Sequence, residues 1–305
     1  MPTMDKKILL IGNDRIEDDT RQYHEDYASF FKRSFSHVNT PVNISWTLLQ
    51  DLYIEVGDGD FRIVDTKDGN DIRQYDLILL RGKGFREQFD VIKAVSEYAK
   101  KTDVPIINDY SAFRDSSKLG QAVTFFTAGL PMAKSVYVNR SILENGYEVG
   151  IEFPCVMKAV FGAHGNDNYL VNSLEEVRRI AQASALRFVL QRMIPNDGDY
   201  RILVAGDNIL GIERKAVEGS HLNNTSQGGS ARLVSQDVLP EGMIADARRI
   251  ARHLDMTIAG VDALIDKHTG EYYFLEVNSQ PQLMSGAYVD QKEQLIGVSL
   301  SALLQ

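Results

Sequence analysis

The sequence predicts an α/β protein that begins with a small domain built on a parallel sheet, over about residues 1–110. Short apolar runs at 6–11 and 76–80 end in polar or glycine-containing segments, as buried parallel strands do at their carboxyl ends. Between such runs, the stretch 89–100 places apolar residues at helical spacing. Strands that alternate with helices form parallel sheets, so this pattern favours the α/β class.

The other elements of this first domain follow in chain order. We expect a helix over 15–36 and strands over 42–49 and 104–107. The segment 52–64 is rich in β-branched and aromatic residues but is interrupted by Gly-Asp-Gly at 57–59, and a strong turn signal follows at 67–70. We therefore interpret it as a hairpin-like insertion.

Helix caps and hairpin-like strand pairs dominate after about residue 112. Asp115 to Lys118 begins a helix that runs through Ala128, since Asp and Ser are favourable caps. Ser173 and Glu176 form a capping-box pattern at the start of another helix. Further expected elements are strands over 153–160, 169–171, 188–193, 201–204, 209–214, 257–265 and 272–277, a helix over 240–253 and a polar loop over 218–230.

The composition excludes several function classes. The 305 residues include 33 Lys and Arg against 42 Asp and Glu, a formal net charge of −9, which gives no general attraction to nucleic acid or an anionic membrane. The longest apolar runs are far shorter than the ~18–20 residues of a membrane-spanning helix. The N-terminal apolar run predicts a buried strand rather than a signal peptide. We therefore expect a cytoplasmic protein without nucleic-acid or membrane partners.

Cys155 is the single cysteine of the chain. One cysteine cannot form a disulfide within the chain or a multi-cysteine zinc site. It stands in the apolar run 153–157, which predicts a buried and chemically inert thiol.

The loop at 161–168 is a candidate phosphate site. Gly162 and Gly165 allow backbone N–H groups to approach a phosphate closely, and Lys158 adds a positive charge just before them. An ordinary flexible hairpin fits the same loop composition equally well.

Three oxygen-bearing side chains near the C-terminus form a candidate metal site. Glu276 and Asn278 are two residues apart on a predicted strand and share one face, while Asp262 on the neighbouring strand faces them. Two carboxylates and an amide oxygen suit Mg²⁺. The alternative is a solvated sheet face, but these strands are otherwise apolar, so the acids need a cation or hydrogen-bond partners.

Four basic residues could bind a polyphosphate if the fold brings them together. They are Lys118, Lys158, Arg201 and Arg214. Scattered surface charges are the alternative, because the sequence alone does not show convergence.

Five segments in this order resemble the ATP-grasp superfamily, most closely its RimK-like and glutathione-synthetase-like carboxylate–amine ligases. They are DSSKLGQAVTFFTAGLP, FPCVMKAVFGAHGNDN, VLQRMIPNDGDYRILVAGDNILGIERKA, NNTSQGGSA and AGVDALIDKHTGEYYFLEVNSQP, and the similarity covers about residues 115–285. The resemblance implies a two-part ATP-grasp domain that clamps ATP between two sheets. The implied boundaries are a pre-ATP-grasp domain over 1–112, a lid subdomain over 113–188 and a C-terminal subdomain with the metal site over 189–305.

The resemblance also implies roles for individual residues. It assigns the catalytic positions to Arg201 and Arg214 and the metal ligands to Asp262, Glu276 and Asn278. It assigns ATP binding to Lys118, Lys158, Gly162, His164, Gly165, Gln191, Arg192, Met193, Ile194, Asp199 and Asn224. The implied cofactors are ATP and Mg²⁺, with two metal ions expected and Mn²⁺ as an alternative ion. Arg192 departs from the family, which often has an acidic residue there, and His164 is unusual in the glycine-rich loop.

The activity that the resemblance implies is ATP-dependent ligation of a carboxylate to an amine through an acyl phosphate, with release of ADP and phosphate. The substrate would be an amino acid joined to an amino acid, a peptide or a protein, and a homo-oligomer is expected. An ATP-grasp phosphotransferase and a nucleotide-binding module with decayed catalysis remain as alternatives. Arg81, at the end of a first-domain strand, is a candidate clamp for a substrate carboxylate, or else an exposed loop arginine.

Overall fold

The structure is a computed structural model, and it describes residues 5–13, 20–82, 88–110, 117–161, 167–215 and 229–305. The first domain contains β1 (Lys6–Gly12), α1 (Thr20–Ser36), β2 (Val42–Leu48), β3 (Leu52–Gly57), β4 (Asp60–Asp65), β5 (Leu77–Leu80), α2 (Phe89–Lys101) and β6 (Ile106–Ile107). Strands β2, β1, β5 and β6 form a parallel sheet in that order. The predicted α/β class is therefore confirmed, and the predicted insertion is the antiparallel hairpin β3–β4.

Helices on both faces of the first sheet explain why its strands read as continuous apolar runs. Ile8 and Leu10 of β1 pack in a cluster with residues of α1, whereas Leu9 and Ile11 pack in a cluster with residues of α2. All four side chains are fully buried.

The second sheet is antiparallel. The chain from residue 117 forms α3 (Lys118–Thr127), β7 (Ser135–Val138), α4 (Arg140–Glu144), β8 (Cys155–Ala159), β9 (Asn168–Val171), α5 (Leu174–Gln182) and β10 (Phe188–Arg192). The strand order is β7-β10-β8-β9. Strand β10 pairs with β8 as far as Arg192. Cys155 is fully buried in the core of this sheet, and burial raises the pKa of its thiol to about 11, as expected for an inert cysteine.

The third sheet is also antiparallel and carries the C-terminal half of the site. Its part of the chain forms β11 (Asp199–Ala205), β12 (Asn208–Lys215), β13 (Ser230–Val234), α6 (Met243–His253), β14 (Ile258–Ile265), β15 (Tyr272–Asn278) and α7 (Val289–Ser301). The strand order is β13-β12-β11-β14-β15. The sequence predictions omitted β7, α4, β13 and α7.

The two faces of β11 have different neighbours. Ile202 and Val204 point to the face that α6 covers. Leu203 and Ala205 point to the other face and share a cluster with α1 and α7. This second face continues toward the start of β11, where polar residues replace apolar ones.

Helix α7 joins the third sheet to the first domain. It packs along α1 at Gly297, where a Cβ atom would overlap the carbonyl oxygen of Ser34. The Arg33 guanidinium of α1 forms an ion pair with the buried Glu293 carboxylate at 2.7 Å. The first domain and the third sheet therefore share one apolar core. Within the described ranges, no helix combines the length and the apolar character that are needed to cross a bilayer.

Candidate functional site

A row of charged and amide side chains lies on the same face of the third sheet as α7, in the part of that face that the helix does not cover. They are Asp199 and Arg201 on β11, Arg214 on β12, Asp262 on β14, and Glu276 and Asn278 on β15. The strand register produces this row: Asp262 lies opposite Arg201 on one side and Glu276 on the other. A β-bulge follows Asp262 in the pairing of β14 with β15, and bulges are frequent next to functional sites.

Asp262 is the centre of a buried ion-pair network. Arg201 donates to both of its carboxylate oxygens, with the Nη2–Oδ2 bond at 2.6 Å. Arg214 Nη2 lies 3.1 Å from Asp262 Oδ2. Burial by itself would raise the pKa of Asp262, but the two guanidinium groups outweigh burial and hold that pKa below its ordinary value. Asp262 is therefore ionised and paired with both arginines.

Asp199 holds the second arginine from the other side. Arg214 donates to its two carboxylate oxygens at 2.6 and 2.9 Å. Burial is the largest influence on Asp199 and raises its pKa to about 6 despite Arg214. The pKa of Arg214 is raised, because the carboxylates of Asp262 and Asp199 outweigh its burial. Two neighbouring carboxylates thus fix the position and charge of this arginine.

Glu276 connects the third sheet to α3 across the cleft. Lys118, the first residue of α3, donates to Glu276 Oε2 at 3.2 Å, and the Asn278 side-chain amide donates to Glu276 Oε1 at 2.8 Å. Burial and Asp262 would raise the pKa of Glu276, but Lys118 and Asn278, together with Arg201, outweigh them and lower it. Ser117 positions Lys118, because its hydroxyl accepts from the backbone N–H of Gly120 and caps the helix.

Lys158 of β8 contributes the second sheet's positive charge. Its ammonium donates to Gln191 Oε1 on β10 at 2.7 Å, and Gln191 Nε2 donates to the hydroxyl of Ser135 at 3.2 Å. Burial, followed by repulsion from Lys118, lowers the pKa of Lys158 to about 8. The hydrogen-bond partner of this lysine is therefore neutral, and its ammonium loses a proton more readily than that of an exposed lysine.

A cleft between the second and third sheets brings these groups together. Its polar lining consists of Lys118, Lys158, Gln191 and Glu276, and its apolar lining consists of Ala122, Phe125, Met132, Val189, Phe274 and Leu275. A lining that combines apolar side chains with a few charged groups is typical of sites that bind an aromatic ring carrying an anionic chain.

The remaining predicted site residues have other positions. Ile194 is buried, whereas Met193 is exposed and the exposed Arg192 places its guanidinium 5.3 Å from the centre of the Tyr273 ring. The predicted Gly162, His164, Gly165 and Asn224 lie outside the described residues.

Arg81 is buried, so the alternative of an exposed loop arginine is wrong. Its Nη2 donates to the Tyr27 hydroxyl and to the Pro281 carbonyl, both at 2.8 Å. The guanidinium also lies over the Tyr27 ring, 4.8 Å from its centre. Arg81 thus connects the end of β5 to the segment that follows β15.

Sequence reasoning missed Lys292, a buried lysine of α7. No helix was predicted over 289–301, so the position carried no structural expectation. The signal was available: Lys292 precedes Ile296 by four residues and Ser299 by seven, which is the spacing of one helix face.

The expected metal ligands are two carboxylates and one amide. Within the described ranges, no three His, Cys, Asp or Glu side chains gather in a way that could hold a metal ion. Asp262, Glu276 and Asn278 nevertheless offer the hard oxygen atoms that Mg²⁺ prefers.

Comparisons with known proteins agree with this architecture. A family model described as a RimK-like ATP-grasp domain matches residues 136–297, more than half of the chain. A probable alpha-L-glutamate ligase 1 of Shewanella frigidimarina is 32% identical over 136 residues, which are 43% of this chain and 44% of that protein. The matched part of the chain thus spans less than half the length of this relative. A tetrahydromethanopterin:alpha-L-glutamate ligase of Methanosarcina acetivorans is 28% identical over 232 residues, 65% of this chain and 69% of that protein.

Two solved structures share the fold over nearly the whole chain. The ATP-grasp ligase PsnB, solved with precursor peptide PsnA2 and AMPPNP, superposes with a TM-score of 0.68 at 17% identity and covers 100% of this chain and 99% of its own. The D-alanyl-alanine synthetase A of Vibrio cholerae superposes with a TM-score of 0.65 at 13% identity and covers 99% of this chain and 98% of its own.

Proposed function

The chain belongs to the RimK-like ATP-grasp family, and on that premise we propose that it is an ATP-dependent ligase that joins a carboxylate to an amine. The observation that carries the proposal is the cleft between two sheets. Lys118 and Lys158 line it, and the arginine–carboxylate network lies on the adjoining sheet face. This arrangement suits a reaction in which phosphate charge must be bound and neutralised.

The reaction we infer has two steps and needs no protein nucleophile. A substrate carboxylate oxygen attacks the γ-phosphorus of ATP, so that an O–P bond forms while the bond to the β-phosphate oxygen breaks and ADP leaves. The amine nitrogen then attacks the acyl carbon. The C–N bond forms, the C–O bond to phosphate breaks, and the nitrogen releases its proton to phosphate or solvent.

Each cationic side chain has a separate task in this scheme. Lys118 and Lys158 bind phosphate oxygens of ATP as point charges. Arg201 and Arg214 stabilise the negative charge of the transferring phosphoryl group and of the acyl phosphate. Asp262 and Asp199 hold these guanidinium groups in place before any substrate arrives, which reduces the reorganisation required during reaction.

Asp262, Glu276 and Asn278 fit a magnesium site by their chemistry. Asn278 donates its amide nitrogen to Glu276, so its amide oxygen is the atom available for a metal. Arg201 pairs with the Asp262 carboxylate and Lys118 pairs with the Glu276 carboxylate, so both carboxylates are ionised groups that attract cations. Mg²⁺, when bound, supplies neutralisation of the phosphate charge of ATP. The expected second ion and the use of Mn²⁺ remain predictions.

The substrates we propose are an amino acid with a free amine and a carboxylate carried by an amino acid, a peptide or a protein. The names of the relatives support an amino acid, since those proteins are glutamate ligases. The PsnB complex supports a peptide as the other partner, since that protein is bound to its precursor peptide. The expected homo-oligomer remains a prediction.

The test uses the purified chain with Mg-ATP, pools of amino acids and a few acidic peptides. We expect ADP, phosphate and a new amide mass by mass spectrometry. All three should disappear in the double variant Asp262→Ala/Glu276→Ala and persist in a matched double variant on the first-domain hairpin, Glu55→Ala/Asp60→Ala, where both acids are exposed.

Other products would contradict specific parts of the proposal. AMP in place of ADP would overturn the acyl-phosphate route. ADP without an amide would favour the phosphotransferase alternative. Nucleotide binding without ADP formation under any substrate would favour a module with decayed catalysis.

A further inference from the structure

Lys292 is an ammonium group buried without a counter-ion among the described residues. Its side chain is 5% exposed, and its ammonium donates to the Ser285 carbonyl at 2.9 Å. No described carboxylate forms an ion pair with it; the next residue, Glu293, pairs instead with Arg33 of α1. Burial of a charge is costly unless an opposite charge compensates it. A positive charge in this position is therefore suited to a ligand that supplies the anion.

The position of Lys292 is set by the packing of α7 on β11. The hydroxyl of Ser299 in α7 donates to the Ala205 carbonyl at 2.7 Å, and Ile296 packs in the cluster that contains Leu203. Residues 203 and 205 share their face of β11 with Arg201, because side chains alternate along a strand. Lys292 lies one turn before Ile296, so it stands where α7 stops covering the sheet and the functional site begins.

The electrostatic environment of Lys292 includes the positive charge of Arg201. Burial first, and then repulsion from Arg201, lowers the pKa of Lys292 to about 8. Lys292 also lies in the first turns of α7, where the helix dipole opposes a positive charge. The Lys292 ammonium is thus buried, repelled by Arg201 and placed near a helix N-terminus, and an anion beside it would offset all three effects. Asp262 offsets the charge of Arg201.

The segment after β15 closes this region on the side of the first domain. A Cβ atom on Gly260 would lie 2.9 Å from Pro281 Cβ and 3.3 Å from Arg201 Cδ, so these residues are in close contact. Arg81 binds the carbonyl of Pro281, and its Nε is buried without a hydrogen-bond partner among the described residues. Arg81 is therefore a further cation that holds this segment, and its Nε donor is unused among the described residues.

We propose that Lys292 binds the unreacted carboxylate of the amino acid whose amine attacks the acyl phosphate. In an α-amino acid, the amine nitrogen and the carboxyl carbon are only about 2.5 Å apart, as standard bond lengths require. An amine positioned for attack beside Arg201 thus has its own carboxylate on the same sheet face, toward the end of α7 that carries Lys292. The substrate class that follows is a free α-amino acid rather than an amine that lacks a carboxylate. This subsite rests on the proposed ligase function.

The first experiment compares Lys292→Met with wild type and with Lys292→Arg. Methionine keeps the length and removes the charge, whereas arginine keeps the charge. We expect Lys292→Met to raise KM for the amino acid roughly 10- to 100-fold, the loss of one charge-assisted hydrogen bond. KM for ATP should stay unchanged, and the melting temperature should stay constant or rise because an uncompensated buried charge is removed. Lys292→Arg should recover most of the lost affinity. An unchanged amino-acid KM in Lys292→Met would overturn the subsite while leaving the ligase function intact.

The second experiment measures binding alone, so that it does not depend on turnover. L-Glutamate and its α-amide are titrated by calorimetry into wild type and Lys292→Met, each with ADP and Mg²⁺. Wild type should bind the acid at least tenfold more tightly than the amide, and the variant should bind both equally. Discrimination that persists in the variant, or wild type that binds no amino acid of a complete set, would overturn the subsite. Discrimination by Lys292 in a protein that forms no amide would retain the subsite and reject the proposed ligase reaction.

Discussion

The second and third sheets hold their cations in opposite ways. Arg201 and Arg214 on the third sheet are bound by buried carboxylates, which raise the pKa of Arg214. Lys158 on the second sheet is bound by the neutral amide of Gln191, and its pKa falls to about 8. The arginines are therefore neutralised and fixed before any substrate binds, whereas the lysine retains an unsatisfied demand for an anion. The third sheet thus holds its arginines in fixed positions, and the second sheet offers a lysine that can bind an anion tightly.

Removal of Asp262 should have the largest effect. Asp262→Ala leaves the largely buried guanidinium groups of Arg201 and Arg214 without the buried carboxylate they share, and breaking such a pair costs about 3 kcal/mol in the free energy of unfolding. Urea unfolding measures this loss, and ligase activity should disappear with it. The matched control is Asp207→Ala, because Asp207 forms an ion pair with Arg252 but its side chain is 82% exposed. That change should cost less than about 0.5 kcal/mol. Equal losses would contradict the view that the third sheet is a buried, prearranged network.

Removal of the Lys158 charge should reduce affinity instead of stability. Lys158→Met eliminates a partly buried ammonium whose partner is a neutral amide, so the free energy of unfolding should stay constant or rise slightly. The Kd for ATP should increase roughly 10- to 100-fold, as expected for a lost charge-assisted hydrogen bond. Calorimetric titration with the exposed Lys93→Met as control would check both expectations. A destabilised Lys158→Met with normal ATP affinity would reverse the comparison between the sheets.

A carboxylate beside Lys158 should make the second sheet resemble the third. In wild type, Lys158 is protonated below about pH 8 and neutral above it, so ATP affinity should fall as pH rises through 8. Gln191→Glu places an acid at hydrogen-bond distance and raises the lysine pKa by about one unit, so the fall should shift upward by the same amount. Lys158→Arg should show no fall between pH 7 and 9. Identical pH profiles for wild type and Lys158→Arg would exclude Lys158 as the titrating group.

Sequence patterns predicted the first domain almost completely. Parallel strands buried between two helical layers must be apolar on both faces, so a short run such as 76–80, bounded by polar residues, is sufficient to identify one. The omitted helix α7 shows the opposite case. It buries Lys292, Glu293 and Gly297, so its buried faces lack the apolar stripe that identifies a helix from sequence.

The site was predictable to the extent that it depends on strand alternation. The two-residue spacing of Glu276 and Asn278 predicts a shared face, and the structure has their side chains in contact. The bonds from Arg201 to Asp262 depend on the register of β11 with β14, and these two residues lie 61 positions apart in the chain. Register over that separation follows from tertiary packing, and no local pattern encodes it.

The packing of α7 between α1 and the third sheet also limits how this protein can be recombined. Leu203, Ala205 and Ile258 of the third sheet share their core with α1 and with Ile296 and Leu300 of α7. A chimera that joins the first domain of one family member to the remainder of another would cut through this core, even with its junction near residue 112. Exchange of the first domain therefore requires the matching C-terminal helix, so the modular unit of this chain is discontinuous in sequence.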